Sequence, residues 1–200
     1  MADTDILYDV SQRIATVTLN RPDRLNAYTA SLGDQLRAAM RRATDDPGVR
    51  VIILTGAGRG FCAGADMDNL AAGTASGGAT LAAENPKALP PPFDPASSPD
   101  YQTVHSYFPA VPKPIIAAIN GACAGLGLVY ALYCDQRFAA AGAKFTTAFA
   151  RRGLIAEHGI SHTLPRLVGL AKALDLLVSA RKFDADEALR LGVVDRVLPP

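Results

Sequence analysis

The chain has 200 residues, of which 49% are hydrophobic and 20% are charged, and its formal net charge is +1 at pH 7. This composition is typical of a globular protein and argues against an intrinsically disordered one. With 20 basic and 19 acidic side chains, the sequence offers no basic surface for a phosphate backbone, so we expect no nucleic-acid partner.

The first part of the chain predicts strands and a helix in alternation. Residues 13–19 alternate apolar and polar side chains, as a half-buried strand does, and residues 6–10 predict the other arm of a hairpin. Thr29 or Ser31 can cap a helix whose apolar residues recur at helical spacing. The apolar run 51–54 then predicts a buried strand. This order of elements is typical of an α/β layer fold.

Residues 71–110 differ in composition from the rest of the chain. Half of the 14 prolines lie between Pro86 and Pro109, together with several serines. Such a stretch predicts a long loop that is partly disordered. Two interpretations stay open for this loop: a passive surface insertion, or a lid that covers a substrate.

Residues 114–134 contain no charged side chain, and this run is long enough to suggest a transmembrane helix. Asn120–Gly121 and later glycines interrupt the run, which favours a buried strand over 115–119 and a helix over 125–133. We therefore expect no membrane association. Beyond this run, the pattern predicts a strand and three helices, over residues 137–141, 162–168, 171–179 and 184–191.

The three cysteines, Cys62, Cys123 and Cys134, lie in apolar stretches. Their spacing is not that of a metal site, so we expect no bound metal, and an odd number of cysteines suits a reducing compartment. The first residues lack the basic region and apolar core of a secretory signal. These features together predict a cytoplasmic protein.

Two glycine-rich turns follow predicted strands, within residues 54–66 and 119–128. Neither ends in the Gly-Lys-Ser/Thr of a phosphate loop, and neither has the glycine spacing of a dinucleotide-binding loop. No Gly-x-Ser-x-Gly nucleophile motif occurs. Backbone N–H groups in such turns are free of bulky side chains and point outward where a helix begins. One such turn is usually only a tight turn, but two that converge could bind a developing oxyanion.

Four segments, in this order along the chain, resemble the enoyl-CoA hydratase/isomerase, or crotonase, superfamily. They are "LNRPDRLNA" (19–27), "VIILTGAGRGFCAGADM" (51–67), "KPIIAAINGACAGLGL" (113–128) and "GLIAEHGISHTLPRLVG" (153–169). The resemblance implies an α/β protein of the crotonase (ClpP-like) fold, in which ββα units repeat as a spiral and C-terminal helices follow. It also implies that residues 1–200 form a single catalytic core, apart from the loop at 71–110.

Members of this superfamily continue past the segment that matches "LGVVDRVLPP" into further helices, which help to build trimers. The resemblance therefore implies a shortened chain, with a homotrimer or hexamer where those helices are present. It implies an acyl-CoA thioester as the substrate. It implies no separate cofactor, because CoA is part of the substrate.

The resemblance assigns several residues to the acyl-CoA. The backbone N–H groups of Ala65 and Leu126 correspond to those that hold the thioester oxygen, and losing one such donor typically costs about 3 kcal/mol of transition-state stabilisation. The backbone around Ala63, Asp66 and Met67 resembles the stretch that receives the adenine of CoA.

Three of the polar residues near these motifs have alternative roles. Arg24 and Lys113 are candidates for binding the CoA phosphates, although solvated surface charge is the more usual role for both. Asp66 could be catalytic in some variants of the family, but an aspartate in this position more often caps the helix that follows.

The acid–base residues separate members of the superfamily from one another. Hydratases of the usual type carry two glutamates, and the matching positions here hold Val129 and Phe149, which are expected to contact substrate but cannot exchange a proton. Glu157 matches the position of the catalytic carboxylate in peroxisomal-type Δ3,Δ2-enoyl-CoA isomerases and in some ring-expanding or dienoyl relatives. We predict that Glu157 moves a proton from C2 to C4 of a 3-enoyl-CoA. The apolar surrounding that would exclude water includes Ile155.

Two other functions stay open. One is an enoyl-CoA hydratase that uses Glu157 alone, and the other is a catalytically silent protein that only binds acyl-CoA. His158 is expected to be a neighbour and a hydrogen-bond partner of Glu157. His162 is expected on a helix surface, His105 in the proline-rich loop, and Asp135 in a structural role.

Overall fold

The computed structural model of the chain describes residues 4–66 and 91–199, which form two sheets and five helices. The larger sheet has six strands, side by side in this order: β1 (Ile6–Ser11), β2 (Ile14–Leu19), β3 (Val51–Gly56), β5 (Ile115–Ile119), β7 (Gln136–Ala140) and β10 (Arg196–Leu198). The helices are α1 (Ala30–Asp45), α2 (Leu126–Tyr133), α3 (Ile160–Val168), α4 (Leu170–Ser179) and α5 (Ala185–Leu191).

The larger sheet confirms the strands that the hydrophobic pattern predicts. β1 and β2 form the expected antiparallel hairpin, with Ile6 opposite Leu19, and all other neighbouring strands in this sheet are parallel. In β2 the side chains of Ala15, Val17 and Leu19 are fully buried while the threonines between them are partly exposed. One-sided burial of this kind produces the two-residue period of the sequence.

The smaller sheet has four strands, in the order β4 (Gly60–Cys62), β6 (Ala122–Ala124), β8 (Lys144–Thr146) and β9 (Phe183–Asp184). These strands are two or three residues long, which is too short for a hydrophobic period to show. Along the chain, β4 follows β3, β6 follows β5 and β8 follows β7. The expected repeat of ββα units is therefore confirmed, and β5, β6 and α2 form one such unit.

Side-chain hydrogen bonds close both ends of α1. The hydroxyl of Thr29 accepts a hydrogen bond from the Leu32 N–H at 3.2 Å, so Thr29 and not the later serine is the N-cap. At the other end, the Lys113 ammonium donates to the carbonyl oxygens of Ala43 at 2.7 Å and Asp46 at 2.6 Å. A cation at this position satisfies terminal carbonyls and complements the helix dipole. Lys113 is thus engaged at α1 and is not presented to a CoA phosphate.

Residues 91–110 pack against α1, although the composition predicts a partly disordered loop. The guanidinium carbon of Arg37 lies 4.6 Å from the ring centroid of Tyr107, and that of Arg41 lies 4.1 Å from the ring centroid of Phe93. Both distances fit cation–π contacts. The Phe93 and Tyr107 rings stack with their centroids 5.1 Å apart. The remainder of the predicted loop, residues 71–90, lies outside the described residues.

The uncharged run 114–134 forms β5, β6 and α2, which confirms the predicted strand and helix. Among the described residues, no helix combines the length and the apolar character that crossing a membrane requires. Asp135, directly after this run, accepts a hydrogen bond from the Ile115 N–H at 2.7 Å, in keeping with its expected structural role. This bond holds the start of β5 in place.

Candidate active site

The two glycine-rich turns lie next to each other. β4 and β6 pair in parallel, with Cys62 opposite Cys123, and they carry the two turns side by side. Gly127 allows this approach, because a Cβ atom there would lie 2.7 Å from the Cβ of Cys62 and would collide with the Cys62 carbonyl oxygen. Beyond the strands, Gly64 and Gly125 both have positive φ, at 95° and 49°, and a Cβ on Gly125 would lie 3.8 Å from the Cα of Gly64.

Each turn carries a backbone N–H group, of Ala65 in the first and of Leu126 in the second, for which the described residues provide no acceptor. The Tyr28 N–H donates to the Gly64 carbonyl oxygen at 2.7 Å, and the Asp66 N–H donates to the Tyr28 carbonyl oxygen at 2.9 Å. Within the described part of the chain, the N–H of Ala65, which lies between these two bonds, has no acceptor. Leu126 is the first residue of α2, its N-cap is a glycine without a capping side chain, and its N–H likewise has no acceptor there.

A cavity of about 80 Å³ lies where the turns meet, and we call it the turn cavity. Its lining includes Ala65, Leu126, Phe149 and His158. The side chains of the first three are apolar, and the N-terminal end of α2 adds the positive end of a helix dipole. Two N–H donors in such a site can stabilise negative charge as it develops on a carbonyl oxygen.

A carboxylate–imidazole pair stands beside this cavity. Oε2 of Glu157 lies 3.4 Å from Nε2 of His158, and the two side chains are 21% and 16% exposed. His158 has φ 54°, and its carbonyl oxygen accepts a hydrogen bond from the Tyr133 hydroxyl at 2.9 Å. His158 is part of the cavity lining. Glu157 is not, and its carboxylate contacts the His158 imidazole beside the cavity. The expected proximity of the two residues is confirmed.

Burial determines the charge of the two histidines near this carboxylate. Removal from water lowers the pKa of His158, and it lowers the pKa of His105 from 6.5 to about 3. Both imidazoles are therefore neutral at pH 7. The Glu157 carboxylate accordingly faces a neutral ring that can donate or accept a hydrogen bond, according to its tautomer.

Some of the other predicted site residues line the turn cavity and others do not. Ala63 and Phe149 belong to its lining. Val129 is fully buried inside α2 and is not part of the lining. Met67 lies outside the described residues. Ile155 is 78% exposed, so the prediction that it contributes to an apolar surrounding is wrong, because its side chain faces solvent.

Asp66 and Arg24 lie along one edge of the first turn. The Asp66 carboxylate is 8% exposed and accepts a hydrogen bond from Arg21 Nη1 at 3.0 Å. Arg24 is exposed and ends a short 3-10 turn, Pro22–Arg24. The carbonyl oxygen of the next residue, Leu25, accepts a hydrogen bond from the Ala63 N–H at 3.0 Å. The chain around Arg24 therefore runs directly beside the stretch that is expected to receive adenine.

A second cavity, of about 420 Å³, shares His158 with the turn cavity. Hydroxyl-bearing side chains contribute much of its lining, among them Tyr101, Thr103, Ser106 and Tyr133, and we call it the hydroxyl-lined cavity. No sequence pattern indicates this cavity, because its walls come from segments that are distant along the chain. His158 separates an apolar cavity with two N–H donors from a more polar one.

Two residues of this region carry no sequence signal that predicts their place at the site. Arg152 lines the turn cavity, and it follows no pattern that would distinguish it from the other surface arginines. His105 is 8% exposed and packs against His158, although its place in a proline-rich segment predicts only a loop residue. His162 is exposed on α3, as predicted.

No group of three histidine, cysteine, aspartate or glutamate side chains within residues 4–66 and 91–199 is arranged to hold a metal ion. The three cysteines are buried and form no disulfide. Burial raises the pKa of the Cys62 thiol to about 11, so this thiol is protonated at neutral pH and is not a nucleophile.

The sequence is similar to those of known enoyl-CoA hydratases and isomerases. A family model described as "Enoyl-CoA hydratase/isomerase" matches residues 9–200. A protein of Rhodobacter capsulatus named "Probable enoyl-CoA hydratase" is 37% identical over 194 residues, which are 97% of this chain and 68% of that protein. The 1,2-epoxyphenylacetyl-CoA isomerase of Escherichia coli is 34% identical over 193 residues, which are 96% of this chain and 69% of that enzyme.

Solved structures show the same similarity. The crystal structure of an enoyl-CoA hydratase from Mycobacterium marinum superposes with a TM-score of 0.76 at 46% identity. The match covers 99% of this chain and 82% of that chain.

Proposed function

The chain belongs to the enoyl-CoA hydratase/isomerase family, within the crotonase superfamily, and we propose that it isomerises a 3-enoyl-CoA to the conjugated 2-enoyl-CoA. One observation carries this proposal. The Glu157 carboxylate lies 3.4 Å from an imidazole that lines the turn cavity, and Ala65 and Leu126 belong to the same lining. This arrangement supports a role for Glu157 as the proton carrier and for the two N–H groups as the oxyanion site.

The two N–H groups supply the electrostatic part of the reaction. Removing a proton from C2 of the thioester places negative charge on the thioester oxygen. With that oxygen between the N–H groups of Ala65 and Leu126, the charge develops against fixed donors that need no reorganisation. Each donor of this kind is worth about 3 kcal/mol in the transition state.

Glu157 supplies the proton transfer. Its carboxylate takes the proton from C2, and the electron pair of the broken C–H bond moves into a dienolate held by the two N–H groups. The carboxyl then returns the proton to C4, and the C2=C3 double bond forms. One carboxylate suffices, because no water is added and every atom of the substrate is retained.

Hydration is the second candidate function. It is favoured by a relative at 37% identity that is named as a probable enoyl-CoA hydratase. Against it, the positions expected to hold the two hydratase glutamates are Val129 and Phe149, both buried and unable to exchange a proton. A hydratase here would depend on Glu157 alone. A silent acyl-CoA-binding protein would keep the N–H pair and lack both reactions.

We further infer that the substrate is an acyl-CoA thioester and that catalysis needs no cofactor beyond the CoA of the substrate. A cytoplasmic location and a homotrimeric or hexameric assembly belong to the same proposal. The assembly is tested by measuring the molar mass of the purified protein in solution with light scattering.

The test of function uses the wild type and the Glu157→Gln variant with 3-enoyl-CoA and 2-enoyl-CoA substrates. We expect conjugation of the 3-enoyl substrate by the wild type, and a loss of about 100-fold or more in the variant. Asp175→Asn, which removes an exposed carboxylate on α4, is the control and should keep full activity. Water addition to the 2-enoyl substrate would replace the proposal with hydration. Binding without either reaction would leave the silent protein.

A further inference from the structure

His105 contacts three segments that build the site, although it belongs to none of them. It lies in the segment 91–110, which packs against α1, and its side chain is buried. A buried histidine is often only part of a core. The partners of this one are unusual, because each belongs to a different part of the proposed catalytic machinery.

The first partner is His158. The two imidazole rings meet edge to face, with their centroids 4.5 Å apart and an interplanar angle of 72°. The backbone at His158 has φ 54°, a conformation that non-glycine residues rarely adopt, and the Tyr133 hydroxyl holds its carbonyl oxygen. His105 thus packs against the imidazole beside Glu157 more closely than Phe149 does, whose ring centroid lies 6.5 Å from that of His158.

The second partner is Tyr130 of α2. Nδ1 of His105 lies 2.9 Å from the Tyr130 hydroxyl oxygen, within hydrogen-bond distance. Tyr130 lies four residues after Leu126, about one helical turn from the proposed oxyanion donor. A hydrogen bond to this hydroxyl ties the 91–110 segment to the helix that carries the donor.

The third partner is Tyr28. Its ring lies edge-on to the His105 ring, with centroids 5.0 Å apart. The Tyr28 peptide forms the two hydrogen bonds that flank Ala65, to Gly64 and from Asp66. One imidazole therefore touches the residue that fixes the first donor, the helix that carries the second, and the ring beside the carboxylate.

We propose that His105 is a positioning residue, which holds the His158 imidazole, and with it the Glu157 carboxylate, in register with the two oxyanion donors. This inference rests on the proposed function. His105 does not touch the substrate and exchanges no proton with it. It acts by fixing distances, and misplacing a catalytic group by about 1 Å can cost on the order of 100-fold in rate.

Two substitutions separate the ring contact from the hydrogen bond. His105→Phe keeps a ring against His158 and loses the nitrogen that faces Tyr130. His105→Asn keeps a polar group near the Nδ1 position and loses the ring. If the ring positions the carboxylate, His105→Asn lowers kcat by about 10-fold or more while KM changes little. The kcat of His105→Phe, which keeps a ring, should then stay much closer to that of the wild type. Thermal denaturation of each variant shows whether it is folded at the assay temperature.

A double mutant then distinguishes positioning from general stability. The Glu157→Gln variant has no carboxylate for His105 to position. Adding His105→Asn to it should therefore lower the residual kcat no further. Equal losses in both backgrounds would overturn the inference, and so would full activity of folded His105→Asn. Full activity of Glu157→Gln alone would instead overturn the proposed function, so the two failures are distinguishable.

Discussion

Arg21 and Asp66 form an ion pair in which Nη1 and Oδ2 lie 3.0 Å apart, and the Asp66 side chain is only 8% exposed. The same Arg21 nitrogen donates to the carbonyl oxygen of Ala27 at 2.6 Å. The pair connects the turn after β2 to the turn that carries the Ala65 N–H. The charge of Arg21 offsets part of the cost of burying the Asp66 carboxylate.

Removing the arginine should therefore destabilise the protein. We expect Arg21→Met to lower the free energy of unfolding by about 2 kcal/mol, a value reduced for the partial exposure of Arg21. The double variant Arg21→Met/Asp66→Asn should be more stable than Arg21→Met, because it also removes the nearly buried negative charge that Arg21 offsets. Urea denaturation measures both. A double variant that is less stable than either single variant would contradict this account.

Gly127 is expected to be essential for packing. A methyl group there would collide with the carbonyl oxygen and the Cβ of Cys62, and backbone atoms in β4 cannot move aside cheaply. We expect Gly127→Ala to destabilise the protein by about 3 kcal/mol. Gly142→Ala is the matched control, since no atom lies within 4 Å of the position that its methyl group would take, and its stability should change little. Equal melting temperatures for the two variants would show that the close approach is not rigid.

Gly125 should influence catalysis more than stability. Its φ of 49° and ψ of −120° orient the Leu126 N–H, and an alanine would strain this backbone. We expect Gly125→Ala to lower kcat by about 10-fold or more, as a displaced oxyanion donor does. Gly169→Ala, also at positive φ, with no atom within 4 Å of the added methyl group and outside the turn-cavity lining, controls for strain alone. The idea fails if both variants keep the same kcat.

Lys113 should matter for stability and not for CoA. Its ammonium holds two carbonyl oxygens at the end of α1. We expect Lys113→Met to lower the free energy of unfolding by about 1 kcal/mol and to leave KM for acyl-CoA unchanged. Steady-state kinetics and urea denaturation provide the two measurements. A large rise in KM would make Lys113 a phosphate-binding candidate again.

Burial of His105 should make stability depend on pH. Its pKa falls from 6.5 to about 3 on folding, so below pH 6.5 the unfolded chain binds a proton that the folded protein does not. The free energy of unfolding should therefore decrease as pH falls from about 6.5 towards 3. Between pH 7 and pH 5 we expect a contribution of about 2 kcal/mol.

The variant His105→Phe should show a flatter dependence on pH over this range, because it lacks the buried imidazole at position 105 and keeps only that of His158. The exposed His162 provides the comparison, and His162→Gln should keep the wild-type slope. Denaturation curves at several pH values measure both variants. If His105→Phe and the wild type lose stability in parallel, the acid sensitivity comes from other groups.

Hydrophobic periodicity determined most of the larger sheet and the helices. Strands such as β2 and β5 bury every second side chain, and in β2 the alternation of apolar and polar residues along the sequence follows this burial. The four motifs, and the glycines within them, determined the family and the two turns that present N–H groups. These features are local, so the sequence alone is enough to recognise them.

Only the tertiary structure decided which residues surround the site. His105, Arg152 and the strands of the smaller sheet are placed by contacts between segments far apart along the chain, and such contacts leave no period in the sequence. For the same reason the sequence does not show that Ile155 is exposed, or that Lys113 donates a hydrogen bond to a carbonyl oxygen at the end of α1. The sequence gives each residue its chemical groups, but packing determines its neighbours. Those neighbours decide whether a titratable side chain is charged and which groups it can contact.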